Sequence, residues 1–395
     1  MTVACLTVIA ACGGSGSGNG GNGGNNMPPV VPPVAAPSCL ADVPFIHDRS
    51  LVDRVDDVSG PKLHLVYALP ADAADAELDI NGQIQTEMEV ALRWLREQTG
   101  RCMRVDTFDD AVDVTFVRFS RTNQQMRTDP DFVDQTVALE FEALGLDDPE
   151  KVYVVYYGGS TDNGGCGGAA AIGGPAMQYL VNQNVTDGPL TSCPFFTFVA
   201  GPDANFRGSW AAVAVHEAFH SLGMVPTCAP DHDDQHPLHL ETISSDLMAF
   251  DGTGFSTYTL DANRSEYYGH SNIGCPDLSA SAIWEDAAVG ADPLPLRTTY
   301  TSPQPISCAD ESVTQSNSGG AAVSIRLVNA TEAPVNFYEL DSLGIRLSPL
   351  TANPFSALER TANQGEVFVA TDANSGECLG LYELVAGSNR IVIAD

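Results

Sequence analysis

Residues 209–223 read SWAAVAVHEAFHSLG. The run is apolar almost all round. Ser209 stands where an N-cap belongs and Gly223 where the residue just past a C-terminus belongs. The stretch therefore reads as a helix buried in a domain core. Helix positions i and i+4 project from one face, one turn apart. His216 and His220 have that spacing, so two imidazoles can hold one Zn2+ without backbone movement, at about 2.0–2.1 Å each. Glu217 is beside the first ligand and is not needed on the metal. Its carboxylate can act as a general base toward a water made more acidic by the ion.

Working outward, Gly223 extends the pattern to HExxHxxG. In this form the chain resembles the metzincin-like zinc peptidases, whose pattern is HExxHxxGxxH followed by a Met-turn. Pro226 stands where that family has its third histidine, so the third ligand must come from further along. Five of the eight histidines fall between residues 216 and 239, and His232, His236 and His239 are the available ones. His239 precedes Asp246-Leu247-Met248. This order resembles a group of secreted bacterial zincin-like proteins in which the third histidine follows an inserted loop and a D-[LV]-M turn comes next. The resemblance implies His239 as third ligand and Met248 as the Met-turn residue, with His232 and His236 as alternative or fourth ligands. WLREQTGRCMRVDT (94–107), VYVVYYGG (152–159), Cys166-Gly167-Gly168 and LDANRSEYYGH (260–270) carry the same likeness, which spans roughly residues 60–285. It implies one catalytic Zn2+ and a peptide or protein substrate.

Cys228 and Cys275 bracket the stretch from His232 to Met248, and a bridge between them would staple the ligand-bearing loop. Asp231, Asp233 and Asp234 in that loop read as a solvated turn, as partners for imidazole Nδ1–H groups, or as a Ca2+ site. Their spacing is unlike an EF-hand, which favours the solvated turn. Tyr268 is a candidate donor to an oxyanion, against the plainer reading of a packed core ring. His47 and His64 are isolated and read as ordinary.

Around this centre, LHLVYAL (63–69), residues 112–119 and VYVVYY (152–157) read as strands, and AMQYLV (176–181) as a short edge strand. Residues 82–99, with Ile84, Met88, Ala91, Leu92 and Leu95 on one face, read as an amphipathic helix ended by Gly100. Residues 131–145 read as another helix. Residues 224–284 are irregular, with a weak helix near 277–286.

The 395 residues carry 51 Asp and Glu against 18 Lys and Arg, a net charge of −33. Only Lys62 and Lys151 are lysines. This balance excludes binding to nucleic acid or an anionic membrane through a basic patch. The segment 1–12 (MTVACLTVIAAC) is apolar but too short to span a bilayer. Ile9-Ala10-Ala11-Cys12 resembles a bacterial lipobox, which implies lipidation at Cys12 and export. The Gly/Asn- and Pro-rich residues 13–41 read as a tether. The expected location is an outer-membrane or cell-surface lipoprotein, otherwise periplasmic or secreted, with the membrane touched only through the lipid.

Eight further cysteines suit an exported chain with four disulfides. Order along the chain favours Cys166–Cys193, Cys228–Cys275 and Cys308–Cys378, leaving Cys39–Cys102.

Pro293, Pro295, Pro303 and Pro305 mark a linker, placed at 291–305. Beyond it, SIRLVN, VNFYEL, EVFVAT, CLGLYEL and RIVIAD alternate between turn signals, the pattern of an all-β sandwich. Asn329, Asp341, Gly344, Asp372 and Gly376 resemble the β-domain of the von Hippel–Lindau protein, although that family's Trp position falls near Tyr338 or Glu339. The expected fold class is α+β: a zincin-type catalytic domain over 42–290, with a mixed sheet and the HExxH helix, then a small β-sandwich over 306–395. The expected activity is that of a zinc metalloendopeptidase, a hydrolase. The rival is a cell-surface binding or adhesion lipoprotein whose zinc site is structural or vestigial.

Overall fold

The computed structural model describes residues 39–40, 42–127, 133–161, 166–169, 172–182, 191–192, 210–243, 245–249, 259–287, 291, 300–317 and 319–394. Cys12 and its tether, Cys193, Ser209 and most of the Pro-rich linker lie outside these residues. The fold is mixed α and β, with several sheets and few helices. The chain divides into two compact units. One comprises residues up to Asp134 with Glu150–Leu296, and the other Gln135–Pro149 with Arg297–Asp395.

In chain order the first elements are β1 (Lys62–Leu69), α1 (Gln83–Thr99), short β2 (Thr107–Phe108) and β3 (Ala111–Val112), then β4 (Val114–Arg118) and α2 (Asn123–Met126). There follow α3 (Val133–Leu144), β5 (Lys151–Thr161), β6 (Gly167–Ala169), β7 (Ala176–Asn182), β8 (Thr191–Ser192) and α4 (Trp210–Ser221). The main sheet of the first unit runs β4-β1-β5-β7-β6, with β8 also on β7. β1 is parallel to β4 and β5, and β5 to β7, whereas β6 and β8 are antiparallel to β7. Every residue of β1 is buried, as a parallel strand covered on both faces requires. α1 buries Ile84, Met88, Ala91, Leu92 and Leu95, the expected stripe. Gly100 ends it at φ 75°, donating its N–H to Arg96 O.

Two sequence expectations change. AMQYLV is not an edge strand: β7 lies between parallel β5 and antiparallel β6, and Ala176, Met177, Gln178 and Tyr179 are all buried. Residues 112–119 do not form one strand. Asp113 interrupts them, its N–H bonded to Asp106 O and its buried carboxylate 2.5 Å from Arg54 Nη1.

Asp113 borders a nest of charge that holds both lysines. Lys151 Nζ lies 2.6, 2.5 and 2.7 Å from carboxylate oxygens of Asp53, Asp56 and Asp106. Lys62 Nζ lies 2.6 Å from Asp56. The exposures of Lys62 and Lys151 are only 1% and 5%. His64, expected to be ordinary, bonds Asp106 through Nδ1 at 2.7 Å and Thr115 Oγ1 through Nε2 at 2.9 Å.

Three of the favoured disulfides are present: Cys39–Cys102, Cys228–Cys275 and Cys308–Cys378. Cys166 is also disulfide-bonded, and Cys193 lies outside the described residues. Among the described residues between 222 and 287 the chain is irregular, with one 3-10 turn at Leu278–Ala280 where a weak helix was expected. Among the described residues no helix is long and apolar enough to cross a membrane.

The second unit contains β9 (Pro305–Ile306), β10 (Ala322–Asn329), β11 (Val335–Glu339), β12 (Leu350–Ala352), β13 (Ser356–Asn363), β14 (Val367–Asp372), β15 (Cys378–Glu383) and β16 (Asn389–Ile393). One sheet is ordered β13-β10-β16, the other β12-β11-β14-β15-β9. Ile325, Leu327 and Ile391 from the first share an apolar cluster with Phe337, Phe368 and Ala370 from the second. Val367 and Val369 point the other way, into a smaller cluster with Leu340 and Leu381. This explains why β14 reads as continuous apolar sequence while β10 alternates. Asn329, singled out in the sequence, is fully buried; its amide donates to the carbonyls of Ala333, Ala352 and Asn353 and ties β10 to the following turns.

Candidate metal centre

α4 packs against β5, β6, β7 and α1. It is buried on nearly every side because its sequence offers almost no polar face. Its end is set by Gly223, whose φ of 72° is open to glycine at little cost and whose N–H donates to His220 O. The chain then turns back over the helix, and the loop beyond it returns His239 to the two helical histidines.

His216, His220 and His239 form a buried group that could hold a metal ion, each offering a nitrogen within 4.8 Å of the others'. The Nε2 atoms of His216 and His220 are 2.9 Å apart. Ligand nitrogens about 2.0–2.1 Å from a tetrahedral ion would be roughly 3.3 Å apart, so the two nitrogens would need to spread by only a few tenths of an ångström. The tautomers suit ligation. His216 Nδ1 faces Leu247 O at 2.7 Å, and His239 Nδ1 faces the carbonyls of His236 and Pro237 at 3.2 Å. A carbonyl only accepts, so both Nδ1 atoms carry the proton and both Nε2 atoms present lone pairs. His220 Nδ1 is buried without a hydrogen-bond partner.

Electrostatics agree. Burial lowers His216 to about 4, against the weaker opposing effect of the Leu247 carbonyl. Burial, and then the neighbouring His216, lowers His239 to about 3. Burial and the two other imidazoles push His220 well below its usual value. All three rings are thus neutral near pH 7, the form that binds a metal. A buried group of three neutral, converging imidazoles fits a borderline-soft divalent cation such as Zn2+.

Glu217 is 1% exposed, and its Oε2 has no hydrogen-bond partner. Burial raises its carboxyl well above the usual range, and Asp134 adds to the effect. A cation held by the adjacent histidines would act in the opposite sense, favouring the carboxylate.

The alternative ligands stand apart. His232 Nδ1 faces Val225 O at 3.2 Å, and His236 Nδ1 lies 2.8 Å from Asp233 Oδ2. Neither joins the three-histidine group, and among the described residues no other His, Cys, Asp or Glu joins it. Asp233 also accepts the backbone N–H groups of Gln235 and His236, and Asp231 accepts from Thr242, so these acids fasten the loop to itself. Tyr268 packs edge-on against Trp284, with the Arg264 guanidinium 4.6 Å from its ring centre.

Met248 is fully buried beside the group's supporting turn. Asp246 builds that turn: its Oδ1 accepts the Met248 N–H at 2.8 Å and the Tyr267 hydroxyl at 2.7 Å. The sequence reading gave no supporting role to the Asp246 carboxylate or the Leu247 carbonyl. The only signal available was the D-L-M triplet itself.

A second cluster, Asp53, His64, Asp106 and Asp113, also has ligand-like spacing. Lys151 Nζ already touches Asp53 and Asp106, so an ammonium supplies the positive charge there.

No protein-family model matches the chain, and no curated protein matches it significantly. Among solved structures it is similar to catalytically inactive OgpA from Akkermansia muciniphila, crystallised in complex with an O-glycopeptide (glycodrosocin) substrate. The identity is 11% and the TM-score 0.30, over 86% of this chain and 95% of that one. A TM-score of this size does not establish a shared fold.

Proposed function

We propose that the protein is an exported zinc-dependent metalloendopeptidase of zincin type. The observation that carries this reading is the convergence of His216, His220 and His239, with Glu217 next to the first of them on α4. The three histidines would hold Zn2+ through Nε2. The ion, when bound, would supply Lewis acidity toward a water and a peptide carbonyl. Glu217 would accept a proton from the attacking water and deliver it to the departing amine nitrogen, a transfer that needs its carboxylate within hydrogen-bond reach. The apolar walls of α4 would keep other water away and strengthen each electrostatic contact. Leu247 O and the His236 and Pro237 carbonyls would hold the imidazoles in their ligand tautomers.

A structural zinc site would require a fourth protein ligand. The orientation of His232 and His236 toward Val225 and Asp233 disfavours it. The same reading takes residues 306–395 as a β-sandwich for attachment and Cys12 as the lipid anchor. Glu217→Gln is the test of mechanism. One zinc per chain should remain while cleavage of an internally quenched peptide falls by at least about a thousandfold. Wild-type turnover in that variant would sink the assignment.

A further inference from the structure

Gly167 begins β6, pairs with Gln178 of β7, and follows disulfide-bonded Cys166. Its φ lies outside the left-handed region, so backbone freedom does not explain the glycine. Space does. A Cβ at position 167 would overlap Glu217 Oε1 and lie 2.6 Å from Val213 Cγ1 and 2.8 Å from Glu217 Cδ. Real Cβ atoms essentially never approach other atoms so closely. Val213 and Glu217 are one turn apart on the same face of α4, so the helix presents a valine and a carboxylate together to this strand.

The helix has little room to retreat. Ala211, Ala214, Ala218 and Phe219 are 2% exposed or less, and close-packed interiors resist displacement. Whatever fills position 167 must therefore be accommodated by the side chains of Glu217 and Val213, and the far end of the flexible Glu217 yields most readily. Gly168 differs: a Cβ there would meet only the Tyr179 ring and hydroxyl, at 3.2 Å or more.

We infer that Gly167 is a positioning residue, a side-chain-free slot in β6 that sets where the Glu217 carboxylate rests. The inference deepens the proposed peptidase reading and rests on it for its consequence in catalysis. The slot holds the base against the strand, while His216 and His220 face the loop that carries His239. A methyl group in the slot therefore displaces the base and spares the ligands. A displacement of about 1 Å in a reacting group can cost on the order of a hundredfold in rate.

The experiment compares wild type, Gly167→Ala, Glu217→Ala and the double variant in zinc content, the visible spectrum of the Co2+-substituted protein, kcat and KM on a quenched peptide, and Tm. Gly167→Ala should keep one metal per chain and an unchanged Co2+ spectrum. Its kcat should fall on the order of a hundredfold with KM within about threefold. Its Tm should drop by roughly 2–10 °C. In the Glu217→Ala background the same methyl should cost a smaller drop, because the overlapping carboxylate is gone and only the Val213 contact at 2.6 Å remains. Equal Tm losses in both backgrounds, or wild-type kcat in Gly167→Ala, overturn the inference. If wild type and Glu217→Gln cleave alike, the peptidase reading fails instead, and the Tm cycle alone decides whether position 167 governs Glu217.

Discussion

The Nδ1 of His216 lies 2.7 Å from the carbonyl oxygen of Leu247, which couples α4 to the residue just before Met248. The buried Met248 and the hydrogen bond that orients one of the histidines therefore belong to the same turn. Met248→Ala should lower unfolding free energy by about 2–5 kcal/mol in urea titration. Met248→Leu, which nearly conserves volume, should cost less than about 1.5 kcal/mol.

His239 completes the group from the loop. His239→Ala should weaken zinc binding at least about a hundredfold in a chelator competition, since one of three protein ligands is lost. His232→Ala and His236→Ala should stay within about threefold of wild type. A large loss in either would mean that a different histidine carries the metal.

Glu87 on α1 accepts the Ala211 N–H at the start of α4 and is 5% exposed. Burial pushes it up to about 7, against the opposing effect of that N–H. The folded state thus holds its proton more tightly than the unfolded chain, where the value is near 4.5. The associated stability is complete below about pH 4.5 and is lost as pH rises through 7, on the order of 3 kcal/mol. Glu87→Gln should flatten the fall in Tm between pH 5 and 8. An unchanged slope would show that other groups cause it.

The Cys228–Cys275 bridge closes a loop over a sequence separation of 47 that contains His239 and Met248. Replacing both cysteines by serine should cost about 4 kcal/mol by loop entropy. It should also weaken metal binding, because the loop must be ordered to deliver His239. Stability that falls with metal affinity untouched would separate the staple from the site.

Lys151 is held in its charged form by Asp106, Asp53 and Asp56, whose bonds outweigh the opposing effect of burial. Lys151→Met should destabilise by about 3–5 kcal/mol, because it leaves buried carboxylates without their cation. Chemical denaturation at pH 7 measures this directly.

The helix carrying HExxH, the stripe on α1 and buried strands β1 and β5 were legible because each depends on local periodicity. So were the bridges Cys228–Cys275 and Cys308–Cys378, which join cysteines adjacent in order. β13 was missed. SALERTAN has exposed, charged alternate positions, as an edge strand that pairs on one side permits. Asp113 was read as part of a strand because its diversion depends on Arg54, far away in sequence, and on the Asp106 carbonyl across the β2–β3 turn. His239 was legible through the resemblance alone; the hydrogen bonds that turn His232 and His236 aside leave no trace in spacing. The role of Gly167 was invisible for the same reason: a glycine beside a cysteine says nothing about a carboxylate 50 residues later.

The charge nest has a practical consequence. Because it encloses the only two lysines of the chain, the folded protein presents no side-chain amine to solvent. Amine-reactive acylating reagents and lysine-directed endoproteinases would find their side-chain targets only when β1 and β5 come apart. Acylation of Lys62 and Lys151 read by mass spectrometry would then be a clock for opening of the central sheet, with no background from the native surface.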